Sequence, residues 1–564
     1  MKGGRGRDAL TLASGTLLSR ILGFARDLLF AHLLGPAADA FLVAFRLPNM
    51  ARRLLAEGSL GLSYGAAAGR VLAVSGPQAL AALGRAVMAR LMLLALPCAL
   101  LLPPLAGPLA LLLAPGLDPD RLEHAAHLLR LCMLYLPCAV LAAFAYAHLA
   151  ALGNCRPQAT ASALFNVSAI AAGLAAPLLF SPGPQFVSRA EWLLCLGVVA
   201  AGIIQAVTGM RAFLAVDSPG AAKPGMRPNP GDYAELRPGP PGNSVTEEPP
   251  GSAPGNASLW SRFKEALRSD APEARALLRS LPRNVAGASP HLLHLIAATA
   301  LASFLAEGGI SALYFAERLV ELPLGLFGAA AGLAALPILA ADAAQGRHEA
   351  LRRTLGRGVR LTAFFSLPAT AGLFALALPL CSLLFGHGAY DENAVRTTAR
   401  ALEGFCLGLP ALCASRLLLS AANALGRSAD TLRCALYSLA PLALISLPGI
   451  LLSGSAGAGA RWLGLGLAAG AWANAALLLR LVNRTTGAPP GASPLEGQHR
   501  TLGRYAAAAT GMAVLLMALH AAAGPFSAPL LLLLVAACAA LWGGAALLLR
   551  NEDALLLWRE IRGK

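Results

Sequence analysis

Apolar runs of about twenty residues, each long enough to cross a bilayer of about 30 Å, recur along nearly the whole chain. Taken in order they predict spans near residues 9–34, 38–68, 88–113, 123–152, 157–180, 191–214, 285–306, 309–340, 359–385, 394–425, 429–452, 462–483, 503–523 and 528–549. That makes an all-α polytopic membrane protein of about fourteen transmembrane helices. The one long polar interruption falls after the sixth run. Its first part, Val216 to Gly255, is dense in Pro and Gly with few large apolar residues, the composition of a disordered linker. Its second part, SLWSRFKEALRSDAPEARALLRSLPRN, sets Trp260, Phe263 and Leu267 at helical spacing beside Arg262, Lys264 and Arg268. That fits a helix on the inner membrane surface or a solvated linker helix.

Composition agrees: 57% of residues are hydrophobic and 13% charged, and the mean hydropathy is +0.62. No soluble domain of ordinary size is left over. Lys and Arg test the span order, because they collect in alternate loops on the cytoplasmic side. One set of ends holds Lys2, Arg5, Arg7, Arg70, Arg85, Arg90, Arg156, a run from Arg347 to Arg360, Arg427, Arg433, Arg480, Arg484, and the tail from Arg550 to Lys564. The opposite loops hold little beyond Arg121, Arg189, Arg396, Arg400 and Arg461. Both termini are therefore expected in the cytoplasm, and the net charge of +16 reads as orientation and contact with anionic membrane lipids, not nucleic-acid binding. The N-terminal stretch leads into a span that keeps Arg20 and Arg26 and lacks a small-residue cleavage site, so no signal peptide is expected. The ten cysteines lie scattered in apolar segments without a CxxC pair and read as core residues.

The segments on either side of the linker are similar. Ala31 to Pro48 can be laid over Ala302 to Pro323 so that Arg46 matches Arg318. Six spans per half give two lobes in parallel pseudo-repeat, the layout of transporters with a substrate site between lobes. The expected organisation is an N-terminal lobe (1–214), a linker with an interfacial helix (215–284), a C-terminal lobe (285–484), and a last helix pair with a cytoplasmic tail (485–564).

Charges inside the spans carry the functional signal. Thr16 to Ser59 holds Arg20, Arg26, Asp27, Arg46, Arg52, Arg53 and Glu57. An Arg at the centre of a spanning helix costs about 2.5 to 3.5 kcal/mol on insertion scales, so such a cluster implies a wet, protein-lined cavity. In a regular helix Arg20 and Asp27 share a face while Arg26 lies about 120° away, so either the cavity is wide or the helix loosens near Gly23. After Pro48, Arg53 and Glu57 stand at i, i+4, which leaves Arg52 for a ligand. In the second half Glu317, Arg318 and Glu321 give an arginine with its own neutralising partners. The excess of arginine over acid suits a phosphate or pyrophosphate, which the planar guanidinium grips with two parallel bonds.

The motifs SRILGFARD (Ser19 to Asp27), DAFLVAFRLPNMARRLLAEGS (Asp39 to Ser59) and YFAERLVELPLGLFG (Tyr314 to Gly328) resemble those of the MurJ (MviN) lipid II flippase family, in the multidrug/oligosaccharidyl-lipid/polysaccharide exporter superfamily. The resemblance implies a bacterial inner-membrane transporter, not an enzyme, with no cofactor. Its cargo would be lipid II, the undecaprenyl-pyrophosphate-linked peptidoglycan precursor, carried from the cytoplasmic to the periplasmic leaflet by alternating access. Membrane lipids and other cell-wall synthesis proteins would be its partners. It implies Arg20, Arg26, Arg52, Arg53 and Arg318 as head-group binders, with Asp27, Asp39 and Glu57 as supporting acids. Some family members hold sodium with a carboxylate in the seventh span. Here that position falls on Ala298, with no acid before Glu307, which implies cycling without that site.

Two rivals share parts of this pattern. An ion-coupled exporter of another polyprenyl-linked glycan or of a drug fits the layout, but a cationic drug wants an acidic cavity. A membrane glycosyltransferase usually has a sizeable outer domain, whereas the expected outer loops are short, as at Gly386 to Asn393. His124 and His127 form HxxH but are not expected to form part of a metal set, and His291 and His294 read as packing or interfacial residues. Phosphate-loop, nucleophile-elbow and HExxH motifs are lacking, so ATP-driven pumping within the chain is not expected.

Overall fold

The computed structural model describes residues 3–56, 59–154, 156–216, 259–268, 272–287, 290–487, 498–523 and 527–548, and these are almost wholly helical. The first helices are α1 (Gly3–Leu34), α2 (Asp39–Ala56), α3 (Ser59–Leu101), α4 (Ala106–Leu113), α5 (Pro119–Met133), α6 (Tyr135–Ala151), α7 (Arg156–Leu179) and α8 (Phe186–Val216). Two short polar helices follow, α9 (Leu259–Arg268) and α10 (Pro272–Gly287). Then come α11 (Pro290–Ala302), α12 (Gly309–Pro323), α13 (Ala329–Ala344), α14 (His348–Ala375), α15 (Ala377–Phe385), α16 (Glu392–Phe405) and α17 (Leu409–Ala424). The last are α18 (Ser428–Tyr437), α19 (Leu439–Leu452), α20 (Ala456–Thr485), α21 (His499–Ala523) and α22 (Ala528–Leu548).

Ten helical stretches among the described residues are long and apolar enough to cross a membrane, and Pro103–Leu113, Leu292–Ala302 and Pro529–Gly544 are shorter apolar ones. The number differs from the sequence expectation partly because several stretches exceed the roughly twenty residues of one crossing: Leu17–Arg52 alone has 36. Large apolar side chains such as Leu101, Leu178 and Leu452 are exposed, which is costly in water and normal against lipid. The junction expected at Gly35 and Pro36 is a 3₁₀ turn over Gly35–Ala38, entered with Gly35 at φ +60°. Helix α1 stays continuous through Gly23, and α2 runs on through Pro48.

The chain divides into two compact units. The first takes the described residues within 1–26, 44–109 and 123–288. In it α6 packs on α3 and α8, α7 packs on α8, and the core gathers Tyr64, Leu83, Val87, Phe144 and Phe213. Helix α10 adds Ala274 and Leu277 to that core and leaves Glu273, Arg275 and Arg279 exposed. The amphipathic segment therefore turns its apolar face to α3. The linker 217–258 lies outside the described residues.

The second unit takes the described residues within 27–43, 110–122 and 289–564. Helix α20 is its hub, packed on α16, α17 and α19. Glycines make this possible. A Cβ at Gly464 would overlap the backbone of α16, and one at Gly466 would overlap Ser446 of α19, so both helices reach the α20 backbone itself. Helices α21 and α22 attach to α14 through Phe364, Tyr505 and Trp542 and through Leu376, Leu516 and Leu531. The 386–391 loop docks on the end of α1, where the Ala389 N–H donates to the His32 carbonyl at 2.9 Å. Gly388, at φ +66°, has room only for hydrogen on its His32 side.

Candidate functional site

In the first unit, α1, α2 and α7 bring arginines against neutral partners. Arg26 is 2% exposed. It donates from Nη1 to Asn166 Oδ1 at 2.9 Å, and its guanidinium lies 4.9 Å from the Phe45 ring centroid and 5.9 Å from that of Phe165. Asn166 also donates from Nδ2 to the Ser19 carbonyl at 2.8 Å. Gly23 sits between these two anchor points on α1, and a Cβ there would stand 3.3 Å from Asn166 Nδ2. The helix does not loosen at Gly23, whose missing side chain instead lets Asn166 approach closely.

Arg52 has side-chain partners of its own. Its Nη1 donates to Ser162 Oγ at 3.0 Å, its Nη2 to Asn49 Oδ1 at 3.3 Å, and its guanidinium lies 5.3 Å from the Phe165 centroid. The sequence reading freed Arg52 by pairing Arg53 with Glu57, and could not see Ser162, which is 110 residues away. The Arg53 side chain and Glu57 lie outside the described residues. Arg20 is half-buried and makes no hydrogen bond or ion pair among the described residues, and Arg46 is buried.

The second unit holds the acids. Arg318, 8% exposed, pairs with Glu321 at 2.7 Å and stands 3.5 Å from both Glu317 and Asp27. Its guanidinium lies 4.5 Å from the Tyr314 centroid, and the Tyr314 hydroxyl donates to Asp27 Oδ1 at 2.9 Å. Glu317 and Glu321 were readable as local partners. Asp27, 291 positions before Arg318, and Tyr314 were not. Asp27 and Glu317 are buried and Glu321 partly so, and a carboxylate in such a place gains from the nearby guanidinium.

Asp39 holds the start of a helix that its own sequence leaves uncapped. Helix α12 begins after Gly308, which offers no capping side chain. Asp39 supplies the cap from α2: Oδ2 accepts from Gly308 N–H at 2.9 Å, and Oδ1 accepts from Ser311 N–H at 2.7 Å and Ser311 Oγ at 2.6 Å. A carboxylate at a helix N-terminus answers both the orphan N–H groups and the helix dipole. The signal in the sequence was a glycine pair opening a helix with no Ser, Thr, Asp or Asn before it.

The remaining polar motifs resolve into pairs. His124 Nε2 lies 2.7 Å from Glu191 Oε2, and His127 faces Glu123 instead. His294 meets Ser438 Oγ at 2.9 Å, and the His291 side chain lies outside the described residues. Ala298 is fully buried on α11, and Thr299 beside it turns its hydroxyl to the Leu295 carbonyl. Among the described residues no group of three or more His, Cys, Asp or Glu is placed to hold a metal ion.

Residues 30–536 match the family model described as "Lipid II flippase MurJ". Among curated proteins, the chain is 31% identical over 422 residues to the "Lipid II flippase MurJ" of Burkholderia cenocepacia, covering 73% of this chain and 72% of that protein. It is 29% identical over 440 residues to the "Probable lipid II flippase MurJ" of Bdellovibrio bacteriovorus, covering 77% and 74%. Among solved structures, "Lipid II flippase MurJ, inward closed conformation" superposes with a TM-score of 0.68 at 16% identity, over 96% of this chain and 99% of that one. A multidrug resistance MATE family transporter in an inward-facing conformation gives 0.62 at 14% identity, over 86% and 100%. At such identities the superpositions speak for the fold.

Proposed function

The chain belongs to the lipid II flippase MurJ family, and from that premise we propose that it moves the undecaprenyl-pyrophosphate-linked peptidoglycan precursor from the cytoplasmic to the periplasmic leaflet of a bacterial inner membrane by alternating access. The family match over residues 30–536 is the observation that carries the reading. In this reading the chain has fourteen spans in two six-helix lobes plus a final pair, with both termini cytoplasmic. The proposed units are the lobes 1–214 and 285–484, the linker 215–284 and the helix pair 485–564. Arg20, Arg26, Arg52, Arg53 and Arg318 line a cationic cavity and take the pyrophosphate, while Asp27, Asp39 and Glu57 support them.

What supports the assignment of roles is chemistry. Amide, hydroxyl and ring partners orient Arg26 and Arg52, and Arg20 stands half-buried with donors to offer. Arg318 is different, because a pyrophosphate there competes with Glu321. Such an arginine can exchange a protein carboxylate for the cargo and so tie binding to rearrangement of α12.

The cycle in this reading does not use sodium. A dehydrated sodium ion needs several oxygens including negative charge, and Ala298 gives none where the family's carboxylate would stand. The membrane potential acting on the intramembrane arginines supplies the drive, at about 2.3 kcal/mol per charge per 100 mV. In vesicles reconstituted with the purified protein, fluorescent lipid II is expected to cross the bilayer. At fixed potential the rate should stay within about twofold when potassium or choline replaces sodium. A strong loss without sodium would overturn the coupling; no crossing in any salt would overturn the transport reading.

A further inference from the structure

Helix α7 carries Ser162, Phe165 and Asn166 at i, i+3 and i+4, the spacing that sets side chains side by side on one helical face. Every one of the three touches an arginine of the preceding section. Ser162 accepts from Arg52, Asn166 accepts from Arg26, and the Phe165 ring lies 5.3 Å from the first guanidinium and 5.9 Å from the second. We infer that this face of α7 is a positioning rack that fixes the direction of Arg26 and Arg52 for an anionic head group, with Asn166 as its principal residue. The inference rests on the reading that these arginines bind the pyrophosphate.

An amide in a spanning helix is costly. Asn166 is 2% exposed, and a buried carboxamide is tolerated only when its oxygen and its nitrogen are both satisfied. A guanidinium only donates, so the atom facing Arg26 is the oxygen, and the nitrogen is left to donate to the Ser19 carbonyl. Ser19 and Arg26 are two turns apart on the same side of α1, with Gly23 between them. Asn166 therefore spans the two turns and locks both α1 and the arginine on it, and the missing Cβ at Gly23 provides the clearance.

Phe165 has its own supports, at 6.0 Å from Phe45 and 5.3 Å from Tyr135 between ring centroids, so the flat surface shared by the two guanidinium groups is itself held. An arginine otherwise samples many rotamers, and an anion must order it on binding. Holding the guanidinium in place beforehand spares the anion that ordering cost.

The test uses the full-length protein in nanodiscs, with farnesyl pyrophosphate as the probe and thermal unfolding measured beside affinity. Asn166→Ala should weaken binding about tenfold in wild type and add little in an Arg26→Ala background, because the amide acts through that arginine. Asn166→Asp separates positioning from packing. A carboxylate beside Arg26 keeps the acceptor and loses the donor to the Ser19 carbonyl, so it should unfold no lower than Asn166→Ala and still weaken the probe tenfold or more, since it pairs with the charge. If Arg26→Ala loses the probe while both Asn166 variants bind it as wild type does, the rack is overturned and the head-group reading stands. If Asn166→Ala loses stability and affinity together while Asn166→Asp binds normally, Asn166 only packs and the rack is again overturned. Wild-type binding by Arg26→Ala and Arg52→Ala would overturn the head-group reading itself.

Discussion

Cells that depend on this protein are expected to stop growing when Arg26 or Arg318 is replaced by Ala, with the protein still present in the membrane at near-normal amount. Losing one charge-assisted bond to a phosphate costs about 1.5 to 3 kcal/mol, a tenfold to hundredfold loss before any cooperativity. Arg20→Ala and Arg52→Ala should fail similarly. The exposed Arg130 and Arg416 are internal controls, and their Ala variants should support growth. Arg318 carries an added cost, because its removal leaves Glu321, Glu317 and Asp27 without the guanidinium, and stranding buried charge is worth about 3 to 5 kcal/mol. Arg318→Lys separates the two effects: it keeps the positive charge among the acids and loses the planar fork. Reduced transport with restored protein level in Arg318→Lys is the expected pattern. Full growth on Arg20→Ala and Arg26→Ala would mean that these side chains merely reach for the membrane surface.

Asp39→Ala should be nearly as damaging, by another route. Three hydrogen bonds hold the start of α12 to Asp39, and their loss leaves buried N–H groups at Gly308 and Ser311 with no cap from their own helix. Helix caps are worth about 0.5 to 2 kcal/mol, and bonds to a charged group about 1.5 to 3 kcal/mol, so local destabilisation of roughly 2 to 4 kcal/mol is expected. Asp39→Asn should recover part of this, since its oxygen still accepts while its amide nitrogen meets a donor. Hydrogen exchange measures the effect directly: amides 308–313 should lose protection in Asp39→Ala more than amides in α20. Unchanged exchange there would show that the carboxylate is not holding the helix.

How much of this was readable in the chain depends on the range of each interaction. The apolar runs gave an all-helical membrane protein, and Gly35-Pro36 gave the first turn, because both are decided by local composition and backbone geometry. Glu317 and Glu321 were visible beside Arg318 because i−1 and i+3 neighbours on a helix need no tertiary information. The contacts of Asp39 with α12, of Asp27 with Arg318, and of Asn166 with Arg26 depend on the rotation of one helix against another over 140 residues or more. No periodicity encodes that. The partners of Arg52 were hidden for the same reason: Ser162 and Phe165 come from a distant helix to hold it. The α7 span was readable as an apolar run, and Asn166 within it was a sign of contact with another helix, since a polar side chain in a span requires partners.

The central claim is that this chain carries lipid II across the membrane. The direct measurement is depletion of the protein in a cell with no second flippase, followed by quantification of precursor exposed on the outer leaflet with a periplasmic probe that cleaves the exposed head group. Exposed precursor should fall several-fold while total precursor accumulates, and wild-type protein, but not Arg26→Ala, should restore the exposure. Unchanged exposure after depletion would contradict it.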